Sequence, residues 1–532
     1  MPNHSSSRRR STLVPRHVLL FAPLSIVLVI AVSVAIAAPT GEPITQPANP
    51  AGPLSRDDIG WLQRIGFGID SAQLSAYRQL GRTRYLDALL ADRGHDTLPP
   101  QISALIDSYS VVDTPPEQLF ADYRQQIKQY KQTPAGSAKD VAKKALQKYR
   151  RDLYLQDAQV ELLRAIYGRN PLKEQMVWFW LNHFSIYAAK GPVRLFAARY
   201  EEDVIRPHAL GNFRDLVMAT LQSPAMLIYL DNAHNVKGKT NENYARELME
   251  LHTLGVGSGY TQQDVQELMR ILTGAGILPP RMARRRERLR YRPGFVVSGT
   301  FLFNPNQHDN STRMFLGHTI SASGYAEIEQ AVDLIVRQPA CAQFISRQLA
   351  DYFVADKPPH ALVDAMTRTF ERSHGDIAAV LRTMFLSKQL DASYGRKFKD
   401  PTQFLVSAMR LAYGSKPISN PTPLVNWLRQ MGEPLYGRIT PDGWPLESAS
   451  WSGSGQMAKR FDVARAIGSG RNRLFAMPDA PTRSRPPDLH NALYRQTLAP
   501  YLSAATRTAL EKARSPMEWN TFLLSSPDFN YR

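Results

Sequence analysis

The sequence predicts a mainly α fold: a large multi-helix globular body with a small β-hairpin insertion and an irregular C-terminal region rich in Pro, Gly and Trp. The chain has 532 residues and is 43% hydrophobic, enough to bury a large core. Along most of its length, apolar residues recur at helical spacing behind capping residues. It has no internal repeat period, which argues against a solenoid.

The N-terminal segment 1–38 has the pattern of an export signal, because basic residues precede an apolar run from Val18 to Ala38. The basic residues are Arg8, Arg9, Arg10 and Arg16. The apolar run is also long enough to span a bilayer, so we expect either a cleaved signal peptide or an N-terminal membrane anchor. Both alternatives place the body outside the cytoplasm, in the periplasm or cell envelope.

Residues 39–54 are rich in Pro, Gly and Thr and predict a linker, after which 55–532 is expected to form a single helical domain. Ser55 to Asp58 is a capping pattern that opens the first helix. From Ser137, helical spacing continues for about eight turns and predicts one long amphipathic helix. Further helices are expected to begin at Pro171, near His208, at Pro224, Asn241, Thr261, near Tyr325, at Pro339, near Pro359, at Asp376 and at Pro401.

One region is β-rich. Residues 295–303 and 314–320 are dominated by β-branched and aromatic residues and are separated by polar turn residues, which predicts a single β-hairpin over 295–320. Beyond Gly414 we expect irregular structure as far as about Pro487, followed by a last pair of helices.

The chain is strongly basic, with a formal net charge of +18. Part of this charge lies in segment 279–294, whose flanking prolines predict a surface loop. The loop is either a solvated segment or a polyanion contact made by Arg284, Arg285, Arg286 and Arg288. Outside the cytoplasm, the expected partners are an anionic envelope polymer, lipid headgroups or other envelope proteins; nucleic acid is not expected.

The segment 241–255 combines three carboxylates, an arginine, two amides and a histidine. A helical projection puts its polar residues on one arc, namely Glu242, Asn243, Arg246, Glu247 and Glu250. His252 falls on the apolar side, so one helix does not assemble a metal site here, and we predict no metal. The sequence leaves any cofactor unknown. The arc is a solvated face, a buried polar network or a catalytic site with Glu247 and Glu250 as acid/base groups oriented by Arg246.

Two histidines elsewhere are candidates to complete such a site. His183 lies with Asn182 on a helix that is apolar around most of its circumference, so it is either a satisfied core residue or a proton-transfer partner. His308 and Asp309 lie on a polar turn, where they favour the turn itself or, with His318, form a metal cluster. The chain lacks a P-loop, a dinucleotide fingerprint, a nucleophile elbow and a paired Cys-x-x-Cys.

The run Asn241-Glu242-Asn243-Tyr244-Ala245-Arg246-Glu247-Leu248 resembles the signature of the bacterial family called Domain of Unknown Function 1800. Other segments that resemble this family are Leu62 to Gly68, Asn182-His183-Phe184, Ser223 to Asn232, Tyr260 to Val265, His308-Asp309, Lys397 to Pro401, Gly443-Trp444 and Leu523 to Phe529. The resemblance implies a mostly helical exported protein whose polar motif residues meet in one place, but it names no reaction. The arginine-rich stretch after Pro280 departs from the family pattern as an insertion.

Two functions follow as hypotheses. The first is an envelope enzyme with acid/base or hydrolytic chemistry on a polar polymer, using Glu247, Glu250, His183, Arg246, His308 and Asp309. The second is a non-catalytic envelope binding or assembly protein whose polar cluster is structural. An open cleft around these residues favours the enzyme, whereas internally paired groups favour the second hypothesis.

Overall fold

The structure is a computed structural model that describes residues 54–92, 94, 97–279, 282, 284–476 and 485–532. The described part from residue 54 onward forms one compact unit that is mostly helical, as predicted. The predicted signal or anchor (1–38) and nearly all of the linker lie outside the described residues. None of the helices described is both long and apolar enough to cross a membrane.

Helices dominate the first half of the chain. They are α1 (Arg56–Ile65), α2 (Ser71–Ala91), α3 (Pro100–Asp107), α4 (Ser110–Asp113), α5 (Pro116–Gln132), α6 (Ser137–Tyr167), α7 (Pro171–His183), α8 (Ala197–Arg199), α9 (Arg206–His208), α10 (Phe213–Leu221), α11 (Pro224–Tyr229), α12 (Asn243–Glu247) and α13 (Gln262–Ile271). Two π-helical turns interrupt this series, at Tyr200–Ile205 and Leu248–Thr253. The predicted long helix is confirmed as the 31-residue α6, and Ser55 caps α1 as expected.

The second half is also helical. Its helices are α14 (Arg286–Arg290), α15 (Tyr325–Val336), α16 (Pro339–Phe353), α17 (His360–Arg372), α18 (Ile377–Phe385), α19 (Lys388–Asp391), α20 (Pro401–Tyr413), α21 (Thr422–Gln430), α22 (Ser454–Ser469), α23 (Ala492–Thr497), α24 (Ala504–Glu511), α25 (Pro516–Ser525) and α26 (Pro527–Asn530). The prediction of irregular structure after Gly414 is wrong for α21 and α22. Pro and Gly in the flanking loops concealed the apolar spacing of these two helices.

The β-rich region is confirmed, but its pairing differs from a single hairpin. Strand β1 (Ala275–Ile277) and strand β2 (Val296–Ser298) both pair with β3 (Phe301–Phe303), while β4 (Arg313–Phe315) pairs with β5 (His318–Ile320). Each predicted strand therefore folds back on itself. The cause is a glycine at each reversal, Gly299 and Gly317, with positive φ angles of 53° and 76°.

The predicted basic loop contains a short helix, α14, so it is not loop throughout. Arg286 of this helix forms an ion pair with Glu117 of α5. Arg284, Arg285 and Arg288 are exposed. Three of the four arginines proposed for polyanion contact are thus on the surface, and the fourth holds the segment against the body.

The guanidinium of Arg64 in α1 connects distant parts of the chain. It is fully buried, and it donates to the carbonyl oxygens of Phe353, of Val354 at 2.8 Å, of Ser393 at 2.9 Å and of Arg532 at 2.7 Å. These acceptors lie at the end of α16, after α19 and at the last residue of the sequence. One side chain therefore joins the beginning of the folded body to its end.

Cys341 is buried in α16, and burial raises the pKa of its thiol. A single cysteine cannot close the chain with an internal disulfide. Hydrogen bonds attach the C-terminal residues to the body instead. The Arg532 amide donates to the Lys397 carbonyl oxygen, and the Lys399 amide donates to the Asn530 carbonyl oxygen, both at 2.9 Å.

We expect Arg64→Ala to lower the free energy of unfolding by about 3–5 kcal/mol, because several buried carbonyl groups lose their donor together. Guanidinium denaturation followed by circular dichroism measures this loss. Arg56→Ala, at an exposed position of the same helix, is the control and should change stability by less than about 0.5 kcal/mol. Equal effects of the two substitutions would contradict this role for Arg64.

Candidate functional site

The acidic motif forms helix α12 and continues into the second π-helical turn. Arg246 is its centre: its Nη2 lies 2.9 Å from Glu242 Oε1 and 2.8 Å from Gln262 Oε1, and its Nη1 lies 3.0 Å from Glu250 Oε1. The predicted grouping of Glu242, Arg246 and Glu250 on one face is confirmed. A π-helical turn adds a residue to the helix, and such turns are frequent at functional sites.

Glu247 lies outside these arginine pairs. Partial burial raises the pKa of its carboxyl group, and the charge of Glu250 raises it further, against an opposing effect of Arg246. The charge of Asp442 also raises this pKa. Glu247 therefore keeps its proton to a higher pH than an ordinary glutamate.

The pKa of Asp442 is shifted in the opposite direction to that of Glu247. Arg438 forms a bidentate ion pair with Asp442, in which Nε donates at 3.0 Å and Nη2 donates at 2.6 Å. The Thr440 hydroxyl also donates to Asp442, at 2.5 Å. Partial burial acts to raise the pKa of Asp442, but the hydrogen bonds from Arg438 and Thr440 outweigh burial and lower it. The Arg438 guanidinium also lies 5.5 Å from the ring centre of the partly exposed Trp444.

Asn182 of α7 positions this loop. Its side-chain amide donates to the Trp444 carbonyl oxygen at 2.9 Å and accepts from the Trp444 amide at 2.6 Å. Gly443 adopts a φ of 72°, and a Cβ at this position would lie 2.3 Å from the Asn182 carbonyl oxygen. The buried Asn182 thus finds the partner that its core position requires, and only glycine fits against it.

His183 lies next to the motif helix but faces its backbone. Its Nε2 is 2.9 Å from the carbonyl oxygen of His252, and burial lowers the pKa of His183 to about 4. His252 is fully buried, as its apolar position predicted. The hydrogen-bond partner of the His183 ring is therefore a carbonyl group, whereas the enzyme hypothesis pairs it with Glu247 or Glu250.

His308 and Asp309 belong to a different polar cluster. His308 is buried, with Nδ1 2.8 Å from the Thr273 carbonyl oxygen and Nε2 3.1 Å from Glu327 Oε1. The Asp309 amide donates to the Thr273 hydroxyl at 2.9 Å, and Arg313 lies 3.7 Å from Glu327 Oε2. These bonds fix the turn after β3 to α13 and α15, and the contacts of His308 are with this cluster and not with the acidic helix.

The metal cluster considered for His308, Asp309 and His318 is not assembled. His318 is exposed on β5, while His308 is buried against Glu327. Throughout the described part of the chain, no group of three or more His, Cys, Asp or Glu side chains is arranged to hold a metal ion.

A cluster of buried charges lies at the other π-helical turn and was missed by sequence reasoning. Arg206 places Nη1 2.5 Å from Glu174 Oε1, Nη2 2.6 Å from Glu201 Oε1 and Nε 3.4 Å from Glu202 Oε1. Glu161 of α6 is buried nearby. The available signal was a set of charged residues within otherwise apolar helical patterns, above all Glu161 in the second half of α6.

This cluster contains more carboxyl groups than arginines, so some of its carboxyl groups stay protonated. Burial raises the pKa of Glu161 strongly, and the charge of Glu201 adds to this effect. Burial, with Glu201 again second, raises the pKa of Glu202 to about 7, against opposing effects of Arg206 and Arg164. The cluster holds protons in the folded state that free glutamates release.

The fold and the motif define a mainly α protein with an acidic surface helix, two π-helical turns and a charged core. The profile of the family described as "Protein of unknown function (DUF1800)" matches residues 60–531, and the chain belongs to this family. Comparison with curated proteins and with solved structures gave no match.

The cluster predicts a pH dependence of stability. The pKa of Glu202 is raised in the folded state. Its contribution to the free energy of unfolding is therefore complete below the pKa that it has in the unfolded chain, and is lost as pH rises toward about 7. We expect Glu202→Gln to remove a slope of up to about 1.4 kcal/mol per pH unit between roughly pH 5 and 7. Denaturation across this range measures the slope of the free energy of unfolding against pH. The exposed control Glu329→Gln should keep the slope of the parent. An equally steep slope in Glu202→Gln would contradict the assignment.

Proposed function

We propose that this protein is an exported cell-envelope hydrolase that cleaves a glycosidic bond in a polar polymer at the surface formed by Glu247, Asp442 and Trp444. The observation that carries the proposal is the opposed tuning of two carboxyl groups: the pKa of Glu247 is raised while that of Asp442 is lowered. Pairs of carboxyl groups whose environments separate their pKa values serve as acid and base in glycoside hydrolysis.

The roles follow from the protonation states. Glu247 donates its proton to the departing sugar oxygen, and the ionised Asp442 accepts a proton from the water that attacks the anomeric carbon. The carbon–oxygen bond breaks as the bond to water forms, so both carboxyl groups have exchanged protonation states. Trp444 offers an apolar ring face on which a sugar can stack.

The surroundings of Glu247 support this assignment. Arg246 is held by Glu242, Gln262 and Glu250, so the carboxylate of Glu250 stays fixed on the same face. Burial, followed by the charge of Glu250, raises the pKa of the nearby Tyr260 to about 12. The Tyr260 hydroxyl is hydrogen-bonded to Glu250, so it helps to hold that carboxylate on this face.

The compartment is part of the proposal. The basic, apolar N-terminal pattern supports export to the periplasm or cell envelope, and the net charge of +18 supports contact with anionic envelope polymers or lipid headgroups. The exposed Arg284, Arg285 and Arg288 are candidates for that contact.

A second function, binding or assembly without catalysis, is supported by the pairing of the histidines. His183 and His308 both face internal partners. In this alternative the surface around Trp444 holds a polymer, and Arg246 with its glutamates is structural.

We expect Glu247→Gln and Asp442→Asn each to reduce glycan hydrolysis by about 100-fold or more, because each removes one acid/base partner. The measurement is release of reducing ends from a panel of wall-type glycans by the purified full-length protein. Glu329→Gln, an exposed glutamate outside this surface, should retain the parent rate. Parent and Glu247→Gln proteins of equal activity would remove the catalytic role, and polymer binding without release of reducing ends would favour the second function.

The alkaline limb of kcat/KM should report the proton on Glu247, because activity falls as pH rises through its raised pKa. Glu250→Gln removes the charge that helps to raise this pKa, so we expect the limb to move to lower pH. Glu242→Gln is the matched control, since Glu242 also bonds Arg246. Identical shifts in the two variants would show that the arginine pairs, and not the charge of Glu250, control Glu247.

A further inference from the structure

A large cleft, separate from the residues discussed so far, opens between the end of α6, helix α20 and the segment that precedes α23. Its volume is 1070 Å³. Ligand pockets typically measure about 300–1,000 Å³, so this one accommodates an oligomer. Its walls combine apolar and basic side chains, among them Ile166, Leu411, Tyr413, Leu493, Arg169 and Arg410.

Arg410 gives the cleft a built polar site. The side chain is 1% exposed; Nε donates to the Ile166 carbonyl oxygen at 3.1 Å, and Nη2 donates to the Gly168 carbonyl oxygen at 3.1 Å. Its third nitrogen, Nη1, is buried and has no hydrogen-bond partner among the described residues. Main-chain acceptors therefore hold Arg410 in place, and its guanidinium adds a fixed positive charge to the wall of the cleft.

The charges around Arg410 favour an anion. Three further basic side chains line the cleft and are exposed, namely Arg169, Lys416 and Arg485. The acidic side chains in the lining are Asp70, whose Oδ2 lies 3.5 Å from Arg410 Nη2, and Asp488. Four basic groups therefore face two acidic ones, and the potential in the cleft attracts negative charge.

We propose that this cleft binds a carboxylate-bearing oligosaccharide, whose carboxylate oxygens accept hydrogen bonds from the exposed Arg169, Lys416 and Arg485 beside the buried charge of Arg410. A singly charged carboxylate suits the site better than a doubly charged phosphate, because Asp70 and Asp488 remain in the lining. Apolar surface for the faces of the sugar rings comes from lining residues that are at least partly exposed, namely Leu98, Pro99, Ala412, Pro486 and Ala492. The inference does not depend on the proposed hydrolase.

The test uses isothermal titration of the full-length protein with tetragalacturonate, at low and at physiological salt. We expect binding that weakens with salt, and no comparable binding of the neutral maltotetraose. The triple variant Arg169→Gln, Lys416→Gln, Arg485→Gln should bind tetragalacturonate about tenfold more weakly. A triple variant of exposed arginines outside the cleft, at Arg337, Arg368 and Arg507, loses the same net charge and should bind like the parent.

Arg410→Lys keeps the charge but loses the planar fork that holds the Ile166 and Gly168 carbonyl groups, so it tests whether this support shapes the cleft. We expect it to weaken tetragalacturonate binding; if it unfolds the protein, the triple variant decides. Absence of parent binding, or equal weakening by both triple variants, would overturn the proposal. Tighter binding of inorganic tripolyphosphate than of tetragalacturonate would overturn the choice of a carboxylate ligand.

Discussion

The burial of one guanidinium group constrains this fold more than any other single interaction. Arg64 is cut off from water, and burial, followed by the charge of Arg532, lowers its pKa. Such a cation is tolerated only where acceptors surround it, and here the acceptors are main-chain carbonyl groups from widely separated segments. Helices can form locally, but the geometry around Arg64 exists only when α1, α16 and the C-terminal segment have all docked.

Charges are buried elsewhere in the core by the same principle. Lys399 donates to the Ser407 hydroxyl at 3.1 Å and lies over the Phe529 ring, and burial lowers its pKa to about 7. Glu433 accepts from the amide and hydroxyl of Thr402, both at 2.8 Å. Interiors of this kind specify one arrangement of helices, because a shifted helix leaves charged groups unpaired.

Much of the helical architecture could be predicted from sequence because capping residues and apolar spacing are local signals. Ser55, Thr261 and Asp376 each cap the helix that follows. Strand pairing could not be predicted, since the choice between one wide hairpin and two tight ones depends on φ angles at Gly299 and Gly317.

The site was only partly predictable for a related reason. A helical projection placed Arg246 with Glu242 and Glu250, because residues four apart meet on any helix. The contribution of Asp442 comes from a loop almost two hundred residues later in the chain, and no periodicity connects the two. The partners of His308 were hidden likewise, since Glu327 reaches it only through the docking of α15.

The π-helical turn at Leu248–Thr253 has a consequence for how this surface tolerates change in chain length. Such a turn accommodates one residue more than an α-helix would, so a single deletion within it restores regular winding and preserves the helix. The same deletion rotates the preceding turn by about 100° against the residues that follow. Glu247 would then turn, and the buried Tyr244 and Ala245 on the same turn would leave their places in the core. The extra residue of the π-helical turn therefore fixes the orientation of the acidic face and the packing of the core face together.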